Sequence, residues 1–418
     1  MVQVIITDII PLRKRPQFIG VTAVAWAIAS ISGPLIGGLF AQDVTWRWCF
    51  YINFPFLAIA IVMAQTVIKL DIARPRLSVT EKVLSVDWVG GFLFISSSCT
   101  FLIGITWAGI QYPWASAATI VPIVFGAVGF GATIYWEISF ATQPFLRLGL
   151  FKLLTINLAA MASFLQGLIV SNSINLMAYL LKQTCQMFCL LYYLPFYFET
   201  CKGLSPSLAG LSLIPVTAAI APASIIFGVA MSKLGRYRWA LWSGWILITL
   251  AGGLLILLDP EIAESHWILI FVFLGIAHGA GIMALIVCIQ SAAETSDVAY
   301  AAATYMFARC FGMGVGVAVG GTIFQNTMVL SLSALNLPVE VASNAEAFVT
   351  TLLALPQDSI ERQGYISAYS DSFKRIFEVL TAIAGLGLCL TLGIKNYSMN
   401  KRQESEHIVR KRISSNPA

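Results

Sequence analysis

Arg309 is the residue in this sequence with the strongest chemical signal. It lies eleven residues into an apolar run that begins near Val298, and a guanidinium at the centre of a lipid-spanning helix costs about 2.5–3.5 kcal/mol on insertion scales. Such a charge must face a partner or a wet cavity, so Arg309 is a candidate for handling substrate or protons. Its competing role is structural, a snorkelling side chain or one paired with a carbonyl. His278, in Gly275-Ile-Ala-His278-Gly279-Ala-Gly281, changes charge near neutral pH as a proton carrier must, although a lone histidine among glycines also packs or hydrogen-bonds. Tyr192, Tyr193 and Tyr197, with Trp26 and Tyr305, offer flat apolar surface with polar tips to a drug-like ligand; the alternative is an interior aromatic stripe. Glu294 and Asp297 precede the Arg309 segment, where a carboxylate complements a positive helix N-terminus, and are expected to cap it. No segment carries the Ser/His/Asp, Cys/His or metal-ligand groupings that catalysis requires. The residues point to no enzyme, cofactor or metal site.

The elements that must position these groups are membrane helices. Of 418 residues, 58% are hydrophobic and only 11% charged, against about a quarter charged in soluble chains. Ten segments are long and apolar enough to cross a bilayer core of about 30 Å, at roughly 20 residues each. They are placed at 19–41, 49–67, 87–107, 117–136, 153–199 (interrupted), 206–231, 239–258, 267–288, 299–323 and 376–394. Trp88, Trp107, Trp136, Trp239 and Trp267 stand at span ends, where amphipathic rings prefer the interface. With residues 11–18 cytoplasmic, alternate loops collect most of the 25 lysines and arginines: Arg13, Lys14 and Arg15, then Lys69, Arg74, Arg76 and Lys82, then Arg147 and Lys152, then Lys233, Arg236 and Arg238, and the tail from Lys395 to Arg412. That bias predicts a cytoplasmic C-terminus. The net charge of +5 is spread over these loops and is no nucleic-acid footprint. Eight scattered cysteines contain no CxxC pair and read as small apolar residues. Residues 326–374 are expected to form a long solvated external loop, and 396–418 a disordered basic tail.

The first span adds specificity. Gly33-Pro34-x-x-Gly37-Gly38 forms a small-residue seam with a Gly-Pro break, suited to close helix contact in lipid, and is followed by Trp46-Arg-Trp-Cys-Phe-Tyr-Ile-Asn53-x-Pro55. This resembles the antiporter motif of the fifth helix in the major facilitator superfamily, and most closely the fungal fourteen-span drug:proton antiporters. Ala29 stands where that pattern usually has a further glycine, while Gly20 keeps another. Asp87-Trp-Val-Gly90 with Gly104 to Trp114 resembles the extra helix pair between the two six-helix halves. Leu191 to Phe198 with Gly203-Leu-Ser-Pro206 resembles the start of the second half. Gly228-x-x-x-Ser232-Lys233-x-Gly235-Arg236 resembles that half's cytoplasmic loop motif, and Arg309-Cys-Phe-Gly312 the family's Arg-x-x-Gly.

The resemblance implies an all-α, polytopic membrane protein with the major facilitator fold and an incomplete N-terminal half. Residues 1–67 are then the remainder of the N-terminal bundle, 68–152 a basic loop and linker helix pair, 153–395 a C-terminal six-helix bundle and 396–418 a cytoplasmic tail. The four helices that the family places earlier, with their loop motif and proton-coupling arginine, are not in the sequence, so truncation of the gene product is expected. Residues 170–186 interrupt one family helix, and a retained in-frame intron is the expected origin, a genuine insertion the alternative. Function is expected to be proton-coupled efflux of amphipathic small molecules (drugs, toxins or secondary metabolites) across the plasma membrane. The alternatives are a non-transporting membrane fragment or sensor and a proton-coupled importer. The partners are substrate, protons and the bilayer.

Overall fold

The computed structural model describes residues 5–7, 10–40, 44–45, 47–67, 70–72, 78, 80–81, 86–108, 111–141, 153–167, 187–294, 297–400 and 407–409. Its helices are α1 (Arg15–Leu39), α2 (Asn53–Val67), α3 (Trp88–Trp107), α4 (Ala117–Ser139), α5 (Leu154–Gly167), α6 (Met187–Cys201), α7 (Ile214–Leu234), α8 (Arg238–Leu255), α9 (Glu264–Ala292), α10 (Val298–Ala334), α11 (Ala345–Ala354) and α12 (Ile360–Leu392). Among the described residues, eight helical stretches are long and apolar enough to cross a membrane. Eight of the ten expected segments are matched by these stretches. The interruption at 170–186 lies outside the described residues.

Local signals explain the helix ends. Pro16 occupies the first turn of α1, where its missing N–H is no loss. Asp87 caps α3 by accepting from the Gly90 N–H at 2.9 Å, and Ser359 caps α12 by accepting from the Arg362 N–H at 3.2 Å. Gly235 ends α7 in the left-handed region at φ 65°, a conformation that glycine adopts without a Cβ clash. The Gly-Pro pair of α1 does not break the helix, which runs through Gly33 and Pro34 to Leu39.

Close backbone approach organises the bundle, because lipid supplies no hydrophobic force between helices and packing contact must do so. A Cβ on Gly279 of α9 would meet the Ile220 carbonyl of α7 at 2.6 Å, and one on Gly244 of α8 would meet the Gly281 nitrogen of α9 at 3.0 Å. Thus α9 is held between α7 and α8 and is the most deeply buried of the eight spans. α10 packs on α5, α12 and α9, and α8 on α12. The α3/α4 hairpin leans on α10, where Phe94 meets Phe307 at 4.9 Å and the Thr322 hydroxyl donates to the Ile105 carbonyl at 3.1 Å. α1 packs against α7. By contrast, no residue of the Trp48–Thr66 stretch is buried within the chain.

Two expectations about loops are corrected. Residues 326–374 are largely helical: α10 continues to Ala334, α11 follows, and α12 begins at Ile360. Tyr365, Ala368, Tyr369 and Phe373 recur at helical spacing and are buried, so this stretch packs where solvation was expected. The tail is also partly ordered. Met399 is buried, and His407–Val409 pairs antiparallel with Leu70–Ile72, a two-stranded exception to the all-α fold.

Candidate functional site

The polar centre of the bundle lies between α9 and α10. Tyr305 and Arg309 are four residues apart on α10 and therefore share a face, and the guanidinium hydrogen-bonds the Tyr305 side chain. The Tyr305 hydroxyl donates to the Ile282 carbonyl of α9 at 3.4 Å. His278, one turn earlier on α9, interacts electrostatically with Arg309. At 1.5 Å per residue, Arg309 is about 16 Å from the start of α10 and His278 about 21 Å from the end of α9, so the two sit at similar depth. Tyr305 and Arg309 thus form a pair on α10, and His278 of α9 lies within electrostatic reach of Arg309.

His278 is 1% exposed, and neither Nδ1 nor Nε2 has a hydrogen-bond partner. An unmet buried polar atom costs about 1–3 kcal/mol, so packing alone is a poor reason for an imidazole there. Gly275 and Gly279 flank it and let α7 approach the backbone on either side. The half-buried Arg309 keeps part of its surface open.

The remaining aromatic candidates do not join this centre. Tyr193 is buried and stacks on Phe324 at 6.0 Å. Tyr197 is buried against Phe198 and Phe373, and its hydroxyl donates to the Asp259 carbonyl at 2.7 Å, in the turn between α8 and α9. Both serve the interior stripe in this arrangement. The side chains of Trp26 and Tyr192 lie outside the described residues. Asp297 stands at the N-cap of α10, but its side chain makes no capping hydrogen bond. Among the described residues, no three His, Cys, Asp or Glu side chains converge as a metal site.

The two glycine motifs differ. A Cβ on Gly33 or Gly37 would meet no described atom within 4 Å, although the Cys49 thiol reaches the Gly37 carbonyl at 4.0 Å. The side chain of Pro34 and the surroundings of Gly38 lie outside those residues. The loop motif is engaged through its backbone. A Cβ on Gly228 would meet the Pro16 carbonyl at 2.6 Å, so the start of α1 rests directly on the end of α7, beside Lys233, Gly235 and Arg236. Arg13 donates from Nε to the Ser232 carbonyl at 3.1 Å and from Nη2 to the Lys233 carbonyl at 3.3 Å. A cation there complements the negative C-terminal end of α7. Arg15, only 4% exposed, donates to the carbonyls of Ile10 and Thr7, both at 2.7 Å, and to Gln290 Oε1 of α9 at 3.2 Å. Sequence reasoning saw Arg13 and Arg15 only as loop charges. The flanking prolines Pro11 and Pro16 were the one available hint of a fixed turn.

Comparison with known proteins agrees with this architecture. Residues 1–317 match the family model described as Major Facilitator Superfamily. Over 410 residues the chain is 36% identical to "MFS transporter L2" of Phoma sp., covering 97% of this chain and 65% of the relative. It is 29% identical over 413 residues to the "Acurin A biosynthesis cluster MFS-type transporter" of Aspergillus aculeatus (97% and 71%) and 30% identical over 398 residues to "Efflux pump dotC" of Dothistroma septosporum (94% and 64%). The chain therefore spans about two thirds of the length of these relatives.

Proposed function

The chain belongs to the major facilitator superfamily, and on that premise we propose that it acts in the export of amphipathic small molecules in exchange for protons. The observation that carries this reading is the buried His278 of α9, without a hydrogen-bond partner and within electrostatic reach of Arg309, which pairs with Tyr305 on α10. A buried imidazole within electrostatic reach of Arg309, deep in an apolar bundle, offers a place where a proton and a polar substrate group affect one another. The names of its relatives, among them an efflux pump and a biosynthesis-cluster transporter, support the export direction and a secondary-metabolite substrate class. The bundle would work by rocking about this centre. Each proton entering down about 100 mV supplies about 2.3 kcal/mol, enough to sustain roughly a fifty-fold substrate gradient. The basic face that carries Arg13, Lys233, Arg236 and Lys395 would be cytoplasmic, and the membrane the plasma membrane.

The test is efflux by the full-length protein in a host lacking its own pumps, with and without a proton gradient. Arg309→Ala is expected to abolish gradient-driven efflux while leaving insertion intact, since removing a charge at that depth eases insertion. Normal efflux by the variant would remove Arg309 from the mechanism.

A further inference from the structure

We propose that the segment Lys395–Asn400, after α12, is a strap that holds the basic face closed and must release when the protein opens there. The segment is gripped from both sides of the seam between α1 and α7. On the α7–α8 side, the Tyr237 hydroxyl donates to the Lys395 carbonyl at 3.0 Å and accepts from the Tyr397 N–H at 3.1 Å. Tyr237 is fully buried. Burial pushes its phenol above the ordinary tyrosine range, so the hydroxyl stays a donor at every physiological pH. The Trp242 indole N–H adds a bond to the Thr391 carbonyl at 3.1 Å. On the other side, Arg13, which precedes α1, donates from Nη1 to Asn400 Oδ1 at 3.4 Å. The same guanidinium holds the Ser232 and Lys233 carbonyls at the end of α7. Arg13 is therefore the knot that ties α1, α7 and the strap together.

Further contacts close the same seam. Gln17 Nε2 donates to Ser232 Oγ at 2.9 Å. Farther along the tail, His407–Val409 pairs with Leu70–Ile72, in the connection that follows α2. The tail thus touches elements on both sides of the seam. Met399 of the strap and Ile394 just before it are buried, and Cys288 of α9, also fully buried, interacts with the Tyr237 phenol that holds the strap. A rocking motion that separates α1 from α7 at this face pulls Arg13 away from either Asn400 or the α7 carbonyls. The strap's bonds therefore set part of the balance between closed and open states. The role in turnover rests on the transport reading; the closure itself does not.

Cys288 is a built-in reporter. In full-length protein whose other cysteines are replaced by alanine, the rate at which a soluble maleimide labels Cys288 measures opening at this face and needs no substrate. Asn400→Ala and Tyr237→Phe are each expected to raise the rate, and together by about tenfold, as loss of hydrogen bonds of ordinary net strength allows. Asn400→Asp puts a carboxylate on Arg13 and is expected to slow labelling below the parent, a direction that damage to the fold does not produce. A cross-link between Gln17→Cys and Ser232→Cys, made in a Cys288 background, is expected to suppress labelling in every variant and to stop efflux until it is cut. Labelling unchanged by Asn400→Ala and Asn400→Asp in protein that remains helical and monodisperse overturns the strap. A failed efflux assay with the labelling pattern intact overturns the transport reading instead.

Discussion

His278 is the residue whose surroundings most constrain its role. Both ring nitrogens are buried and without hydrogen bonds, so replacing the imidazole by an apolar side chain of similar bulk breaks no bond and removes an unmet polar group. His278→Leu is expected to unfold at the same temperature as the parent or higher, while proton-driven efflux is lost. Thermal unfolding in detergent and efflux measured on the same preparation separate the two effects. Efflux that survives would leave the imidazole as packing. Arg15 shows the opposite logic. It is a buried charge that donates to the Ile10 and Thr7 carbonyls and to Gln290, and charge-assisted bonds of this kind fix a geometry. Whether a polar residue inside a bundle is poised or already satisfied is invisible in sequence, since both appear as one charge in an apolar neighbourhood.

At the scale of the helix, the two glycine-rich stretches look alike on paper and are used differently. Gly279 has the α7 backbone against it, whereas Gly33 and Gly37 face open space. Gly279→Leu must drive α7 and α9 apart, at a cost of about 1–3 kcal/mol for an overpacked core, and is expected to lower the unfolding temperature of this chain. Gly33→Leu and Gly37→Leu are expected to leave it unchanged. A loss of stability on substituting Gly33 equal to that at Gly279 would show that α1 has an intimate neighbour after all. Small residues at fixed spacing state that close approach is allowed. The partner that approaches is set by the fold. The stretch from 326 to 374 taught a similar lesson, because its polar content suggested a loop while Tyr365, Tyr369 and Phe373 lie on one buried helix face.

For the molecule as a whole, contacts between connections fall into two separate sets. Arg13 meets the end of α7 and the residues after α12, and Tyr237 meets Lys395. On the opposite face, Tyr197 meets Asp259 and Lys202 meets the Ile262 carbonyl at 2.8 Å. This is the alternation expected of successive crossings, and the first set carries the positive charge. A cysteine placed at exposed Ser343 is therefore expected to react with an impermeant thiol reagent outside intact cells, and one at exposed Asn396 only after permeabilisation. The reverse pattern would invert the topology. The sequence by itself determined the membrane class, the position of most of the apolar helices and the family. All of these follow from local hydropathy, charge placement and short motifs, which need no knowledge of distant neighbours. Only the tertiary structure decided that His278 comes within electrostatic reach of Arg309, that Tyr197 is a brace, that Gly279 and not Gly33 carries a close backbone contact, and that the tail is tied to Arg13. Each depends on how a helix is rotated about its own axis against its neighbours, and in lipid that rotation is fixed by side-chain packing along the whole interface, which one chain's residue pattern leaves undetermined.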